Sequence, residues 1–202
     1  MSRYDFLVET YDTERLKTLS VWSQFHDSDM EFRPEPRART PHEHMVHQCQ
    51  SEDYWMRTML GIDLGTTPLP ADESRIEFLR RYADSSAQRL ELLTAKSDAW
   101  FEGATGFFEV TRTRAWVVTR RIAHSAHHRG QLTAYLRMLG RELYSTYGPT
   151  ADTGGLFQNH APVIYRYDTI EHLLEAEAQG NAVHPPLPGP GPHSPTERAA
   201  TA

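Results

Sequence analysis

Apolar residues recur at helical spacing along most of this chain, so its pattern reads as a series of amphipathic helices. Between Tyr4 and Asp27, Leu7, Tyr11, Leu16, Leu19, Trp22 and Phe25 keep roughly one face. The Pro-rich connection Arg33-Pro34-Glu35-Pro36 then breaks the pattern. A second start is marked by Thr40, whose hydroxyl suits an N-cap, with Pro41 at the first helical position and Glu43 closing a capping box. This helix is expected to run to about Leu60, with Gly61 near its C-cap. Ser74-Arg75-Ile76-Glu77 repeats the capping pattern, and Ile76, Leu79, Tyr82, Ala83, Ala87, Leu90 and Leu93 carry a third helix to about Lys96. A fourth runs from about Thr113 to Leu139 and stops at Gly140. Trp100 to Val110 fits either a short extended piece or an irregular loop. Tyr147 to Gly155 is turn-rich and has no helical period. Asp168-Thr169-Ile170-Glu171 opens a short extra C-terminal helix ending near Gly180.

Four long helices, connections of bundle length and no convincing run of strands predict an all-α four-helix bundle. The domain is expected to span residues 1–180. From Asn181 onward six prolines and almost no large apolar residues predict a disordered Pro-rich tail, residues 181–202.

The length of 202 residues suits one domain with a real core. Lys plus Arg is 21 against 27 Asp plus Glu, a net charge of −6, and the basic residues are scattered. Nucleic acid is therefore not an expected partner. No apolar run approaches the roughly 18 residues that span a bilayer, so a membrane is not expected either. Met1-Ser2-Arg3-Tyr4-Asp5 lacks the apolar stretch of a signal peptide, and Cys49 is the only cysteine, so no intrachain disulfide forms. These features suit a cytoplasmic protein.

The chemistry concentrates in the fourth helix. Val117, Arg121, His124, His128, Gln131 or Leu132, Tyr135 and Leu139 follow the spacing of an inward-facing seam. His124 and His128 stand one turn apart on that face. Imidazoles in such a seam need partners. A divalent ion satisfies two at once, and so do ordinary hydrogen bonds. The second helix offers His42, His44 and His47 as a third ligand. His47 points nearly opposite the stripe of Met45, Cys49, Met56 and Leu60, so periodicity alone leaves it either exposed or on a second buried face. His127, about 100° from His128, defaults to the surface or a supporting place. Gln131 can support a ligand. Cys49 reads as a small buried hydrophobe. Gly130 marks a position where another backbone or a ligand approaches closely. No role is assigned to His160, His172, His184 or His193.

Thr40-Pro41-His42-Glu43-His44-Met45-Val46-His47, with Glu52 and Trp55 after it, resembles the second helix of the DinB-like family. His124-Ser125-Ala126-His127-His128-Arg129-Gly130-Gln131, running on to Leu136-Arg137-Met138-Leu139-Gly140, resembles its late helix. The resemblance extends from about Tyr4 to Gly140, and Tyr147 to Tyr167 is similar to an extension in one subgroup. It implies an up-down-down-up four-helix bundle that forms a homodimer. It implies a site for zinc or nickel held by three histidines, which fall on His47, His124 and His128. It also implies an activity, since relatives include bacillithiol S-transferases and mycothiol-dependent isomerases. The expected function is a metal-dependent transferase that uses a low-molecular-weight thiol in detoxification or stress response. Glu43 and Gln131 are candidates for orienting a ligand or moving a proton, and Tyr54 and Arg121 for lining the cavity. The alternatives are a non-catalytic metal-binding stress protein, a metal-dependent hydrolase, and a helical interaction module without metal.

Overall fold

The computed structural model describes residues 2–65, 68–180 and 182–192. Four long helices make the body: α1 (Asp5–Trp22), α2 (Pro41–Thr58), α3 (Arg75–Thr94) and α5 (Arg114–Met138). A short α4 (Asp98–Glu102) and an antiparallel hairpin, β1 (Ala104–Phe107) with β2 (Val110–Thr113), join α3 to α5. α6 (Ile170–Gln179) follows two 3-10 turns, at Ala151–Thr153 and Phe157–Asn159.

The starts fall where the side chains dictate. The Thr40 hydroxyl accepts from the Glu43 amide, and the Glu43 carboxylate accepts from the Thr40 amide, closing the capping box ahead of Pro41. Ser74, Thr113 and Thr169 cap α3, α5 and α6 in the same way through their hydroxyls. α6 ends at Gly180, whose φ of +67° is the left-handed conformation that glycine adopts without a Cβ penalty. α1 is shorter than its apolar pattern suggests. It ends at Trp22, and the chain tightens into a 3-10 turn at Asp27–Asp29.

α1 packs on α3 and α5, and α2 packs on α5 and α3. Two apolar clusters fill the interior. One holds Leu19, Trp22, Met45, Cys49, Phe78, Tyr82, Leu132 and Leu136, extended by Tyr167 and Leu173 from the C-terminal segment. The other holds Leu7, Tyr11, Trp55, Met56, Leu93, Phe101, Val117 and Val118. α2 and α3 run from the first cluster to the second, whereas α1 and α5 run from the second to the first. The order is therefore up-down-down-up.

Between the clusters each long helix contributes buried polar residues. These include Glu14 and Arg15 from α1, Gln48 and Glu52 from α2, Ser86 and Arg89 from α3, and Arg121, Ser125, His128 and Arg129 from α5. The bundle is thus divided at mid-height by a polar layer.

One open local reading is resolved and one expectation is corrected. The ambiguous stretch near Trp100–Val110 forms α4 and the hairpin, with Phe108 at a positive φ of 51° in the turn. Gly130 is exposed, and a Cβ there would meet nothing within 4 Å, so no backbone presses on it. In the tail, residues 182–192 have no helix or strand. Tyr144 donates to the Pro185 carbonyl and the Gly189 amide to the Asp152 carbonyl. Positions 181 and 193–202 lie outside the described residues.

Candidate metal centre

His47 on α2 and His124 and His128 on α5 come together beside the polar layer. One donor nitrogen from each lies within 4.8 Å of the other two. Their ring centroids are separated by 4.5 Å (His124–His128), 4.6 Å (His47–His128) and 5.4 Å (His47–His124). The i, i+4 spacing on α5 stacks two rings on one face, and α2 delivers the third from across the helix pair. His47 therefore occupies a second inward face of α2, away from the Met45–Cys49 stripe.

The rings are prepared to act as lone-pair donors. Burial, reinforced by the Arg121 guanidinium, holds His124 down at about 3. Burial and the neighbouring His47 hold His128 at about 3 as well. Burial, with Arg39 and Arg121, lowers His47. All three are neutral near pH 7, the form that binds metal. His128 Nδ1 lies 2.9 Å from Gln131 Oε1. Since a carboxamide oxygen only accepts, Nδ1 carries the proton and Nε2 carries the lone pair. That Nε2 is 3.2 Å from His124 Nε2. Two imidazoles bound at about 2.0–2.1 Å to one tetrahedral ion hold their nitrogens roughly 3.3 Å apart. The three-imidazole donor set and this spacing fit a divalent ion of the zinc type, and the group could hold one.

Other candidates are placed as follows. Gln131 touches His128. Glu43 is engaged elsewhere, by Arg33 at 2.7 Å and by the Thr40 amide, and together they hold its carboxyl at about 2. His42 pairs with Glu73 at 2.9 Å. His44 is buried, with its ring 5.3 Å from that of His128 and 5.6 Å from Tyr135. His127 lies on the exposed rim of the pocket over the site. Tyr54 is exposed and faces a different depression, beside Asp53 and Arg57. Arg121 lies beneath the histidines. It donates to Ser51 at 2.9 Å and Ser125 at 3.0 Å, and its guanidinium stacks 5.4 Å from the Trp55 ring. Trp55 also lies 5.3 Å from the His124 ring, forming an aromatic wall.

Two features escaped the sequence reading. Glu52, wholly buried, accepts from Tyr11 at 2.6 Å and Tyr82 at 3.2 Å, and lies 3.5 Å from Arg89 and 3.8 Å from Arg121. Arg39 and Arg120 border the pocket of about 420 Å³ that opens onto His47, His124 and His128. Arg120 had a readable signal, because it stands one turn before His124 on the same helix.

A four-helix bundle with three convergent imidazoles at its mid-height polar layer defines a class of potential metal-binding helical proteins. The DinB family model matches residues 1–155, and the chain belongs to the DinB family. Its fold is similar to that of a DinB-like protein from Bacillus cereus ATCC 10987, with a TM-score of 0.62 at 18% identity over 70% of this chain and 95% of that one. A DinB-like protein from Bacillus subtilis (YjoA) has a TM-score of 0.57 at 12% identity, over 68% of this chain and 94% of that one. No curated protein matches the chain. Among the described residues, no helix is long and apolar enough to cross a membrane.

Proposed function

We propose that His47, His124 and His128 hold one zinc or nickel ion and that the protein is a metal-dependent thiol S-transferase in detoxification or stress response. The observation that carries this reading is the convergence of three neutral imidazole donors beneath an open pocket. Three protein ligands with an open face are the arrangement of catalytic rather than structural zinc. A divalent ion bound there supplies Lewis acidity and holds a thiol in its thiolate form.

The chain's own residues define the rest. Cys49 is buried, and burial pushes its thiol up to about 12, so the reacting sulfur comes from a small molecule. Gln131 fixes the tautomer of His128, and Trp55 shields His124 from water on one side. The sulfur attacks an electrophilic carbon. A carbon–sulfur bond forms, the bond to the leaving group breaks with its electron pair, and the thiol proton goes to water. On the family resemblance the protein acts as a homodimer, and its composition suits the cytoplasm.

Elemental analysis of the untagged protein, beside His124→Ala/His128→Ala, tests the reading. About one equivalent of zinc or nickel is expected in the wild type and little in the double variant. Metal-dependent consumption of a thiol with an electrophile is expected to follow the same pattern. A wild type that neither contains nor takes up zinc or nickel overturns the metal site. A metal-loaded protein that consumes no thiol overturns the transferase step and leaves a non-catalytic metal-binding protein.

A further inference from the structure

Arg39, just before the N-cap of α2, and Arg120, on α5, both line the pocket over the three histidines. Both are exposed, and neither makes a hydrogen bond or ion pair among the described residues. This sets them apart from most arginines of the chain. Arg15, Arg75, Arg89, Arg129, Arg141 and Arg166, for example, all meet carboxylates. No Asp or Glu borders the pocket, so its mouth is positive on a molecule whose net charge is −6.

Two exposed guanidiniums beside a site for a divalent cation put like charges together at one pocket, screened only by water and salt. Like charges repel the ion, and the pocket supplies no counter-charge. An anion seated between the arginines removes that repulsion. Guanidinium is also the side chain best matched to the planar oxygen pairs of carboxylate and phosphate.

We infer that Arg39 and Arg120 form an oxyanion subsite, and that the thiol substrate carries a carboxylate or phosphate a few atoms from its sulfur. This rests on the thiol-transferase reading above. The sulfur points at the histidines, and the oxyanion sits at the arginines on the rim. The subsite selects charged over neutral thiols, and it orients the sulfur before the electrophile arrives.

The test uses cobalt(II)-loaded protein, in which thiolate binding gives a near-ultraviolet charge-transfer band. Three probes are titrated: 3-mercaptopropionate, 2-mercaptoethyl phosphate and the neutral 3-mercapto-1-propanol. At least one anionic thiol is expected to bind about tenfold or more tighter than the neutral one, and that advantage shrinks as salt is raised. The tighter of the two identifies the oxyanion. In Arg39→Gln/Arg120→Gln the advantage of the anionic thiols over 3-mercapto-1-propanol is expected to vanish, while the protein still takes up cobalt. Both residues are exposed, so the double variant folds. Equal affinities for all three thiols in the wild type overturn the subsite and leave the open metal site standing.

If no thiol gives the band, the thiol reading fails, and the subsite is judged separately. Propionate, methylphosphonate and acetamide are then titrated into the purified full-length protein by calorimetry. Anion binding that disappears in the double arginine variant upholds the subsite. No preference for either anion over acetamide overturns it.

Discussion

Two polar clusters share the middle of this bundle, and they differ in how completely they satisfy themselves. Around Glu52 the carboxylate is wholly buried and meets two tyrosine hydroxyls and two guanidiniums. Around His128 three imidazoles meet with no carboxylate near them, under an open pocket. The clusters are about one turn apart on both α2 and α5, since His47 precedes Ser51 and Glu52, and Arg121 precedes His124. The closed cluster is an internal counter-ion network, in which Nε and Nη1 of Arg89 and Nε of Arg121 make no hydrogen bond among the described residues but lie against the Glu52 carboxylate and its neighbours. The open one keeps its lone pairs unspent. Arg121 joins them, bonded into the network on one side and lowering the proton affinity of His124 on the other.

The sharpest way to break this contrast is to remove the carboxylate. Glu52→Ala leaves Arg121 a buried charge with no carboxylate beside it and leaves Arg89 only Asp53, and it is expected to destabilise the fold by about 3–5 kcal/mol. Urea denaturation reads that loss. A change within experimental error would mean that Glu52 is not the counter-ion the structure makes it.

A pH-graded effect belongs to the open cluster. In metal-free protein the unfolded chain protonates His124 and His128 near their ordinary value of about 6.5. The folded chain holds them neutral until about 3, because of burial and the neighbouring Arg121 and His47. Below about 6.5 the unfolded state therefore binds more protons, and stability falls as pH drops towards 3. In Glu14, burial pushes the carboxyl up but Arg129 and Tyr147 outweigh it, so its loss begins only in the carboxylate range. Thermal melts of metal-free protein between these limits should show the histidine slope, and His124→Ala/His128→Ala should make it shallower, with His44, held at about 4 by burial, and His47 still contributing. An unchanged slope in that variant would assign the pH dependence elsewhere.

Gln131→Ala frees the His128 tautomer and is expected to weaken metal affinity by about 10–100-fold, read by competition with a chelator. The smallest effect lies at the start of α2. Thr40→Ala removes one half of the capping box and should cost about 1 kcal/mol, with metal stoichiometry unchanged.

The helices were legible because their ends are chemical. Thr40 with Pro41 and Glu43, Ser74, Thr113, and Thr169 with Gly180 mark boundaries that periodicity alone leaves vague. The hairpin was not legible, because β2 is exposed throughout and β1 is nowhere fully buried, so burial leaves too little alternation to read. His124 and His128 announced themselves by their spacing on a buried seam. His47 did not, because α2 is buried on two faces and its apolar stripe marks only one of them. The resemblance to the DinB-like family supplied that residue. Glu52 and Arg89 stayed hidden for a similar reason. Charged residues read as solvent-facing until their partners on other helices are known, and those partners are distant in sequence.

The central claim is that three imidazoles from two helices meet one ion. X-ray absorption at the metal edge of the loaded wild-type protein and of His47→Ala tests it most directly. The account predicts three imidazole nitrogens at about 2.0–2.1 Å in the wild type and two in the variant. A shell made only of water or carboxylate oxygen, or one unchanged in His47→Ala, would contradict it.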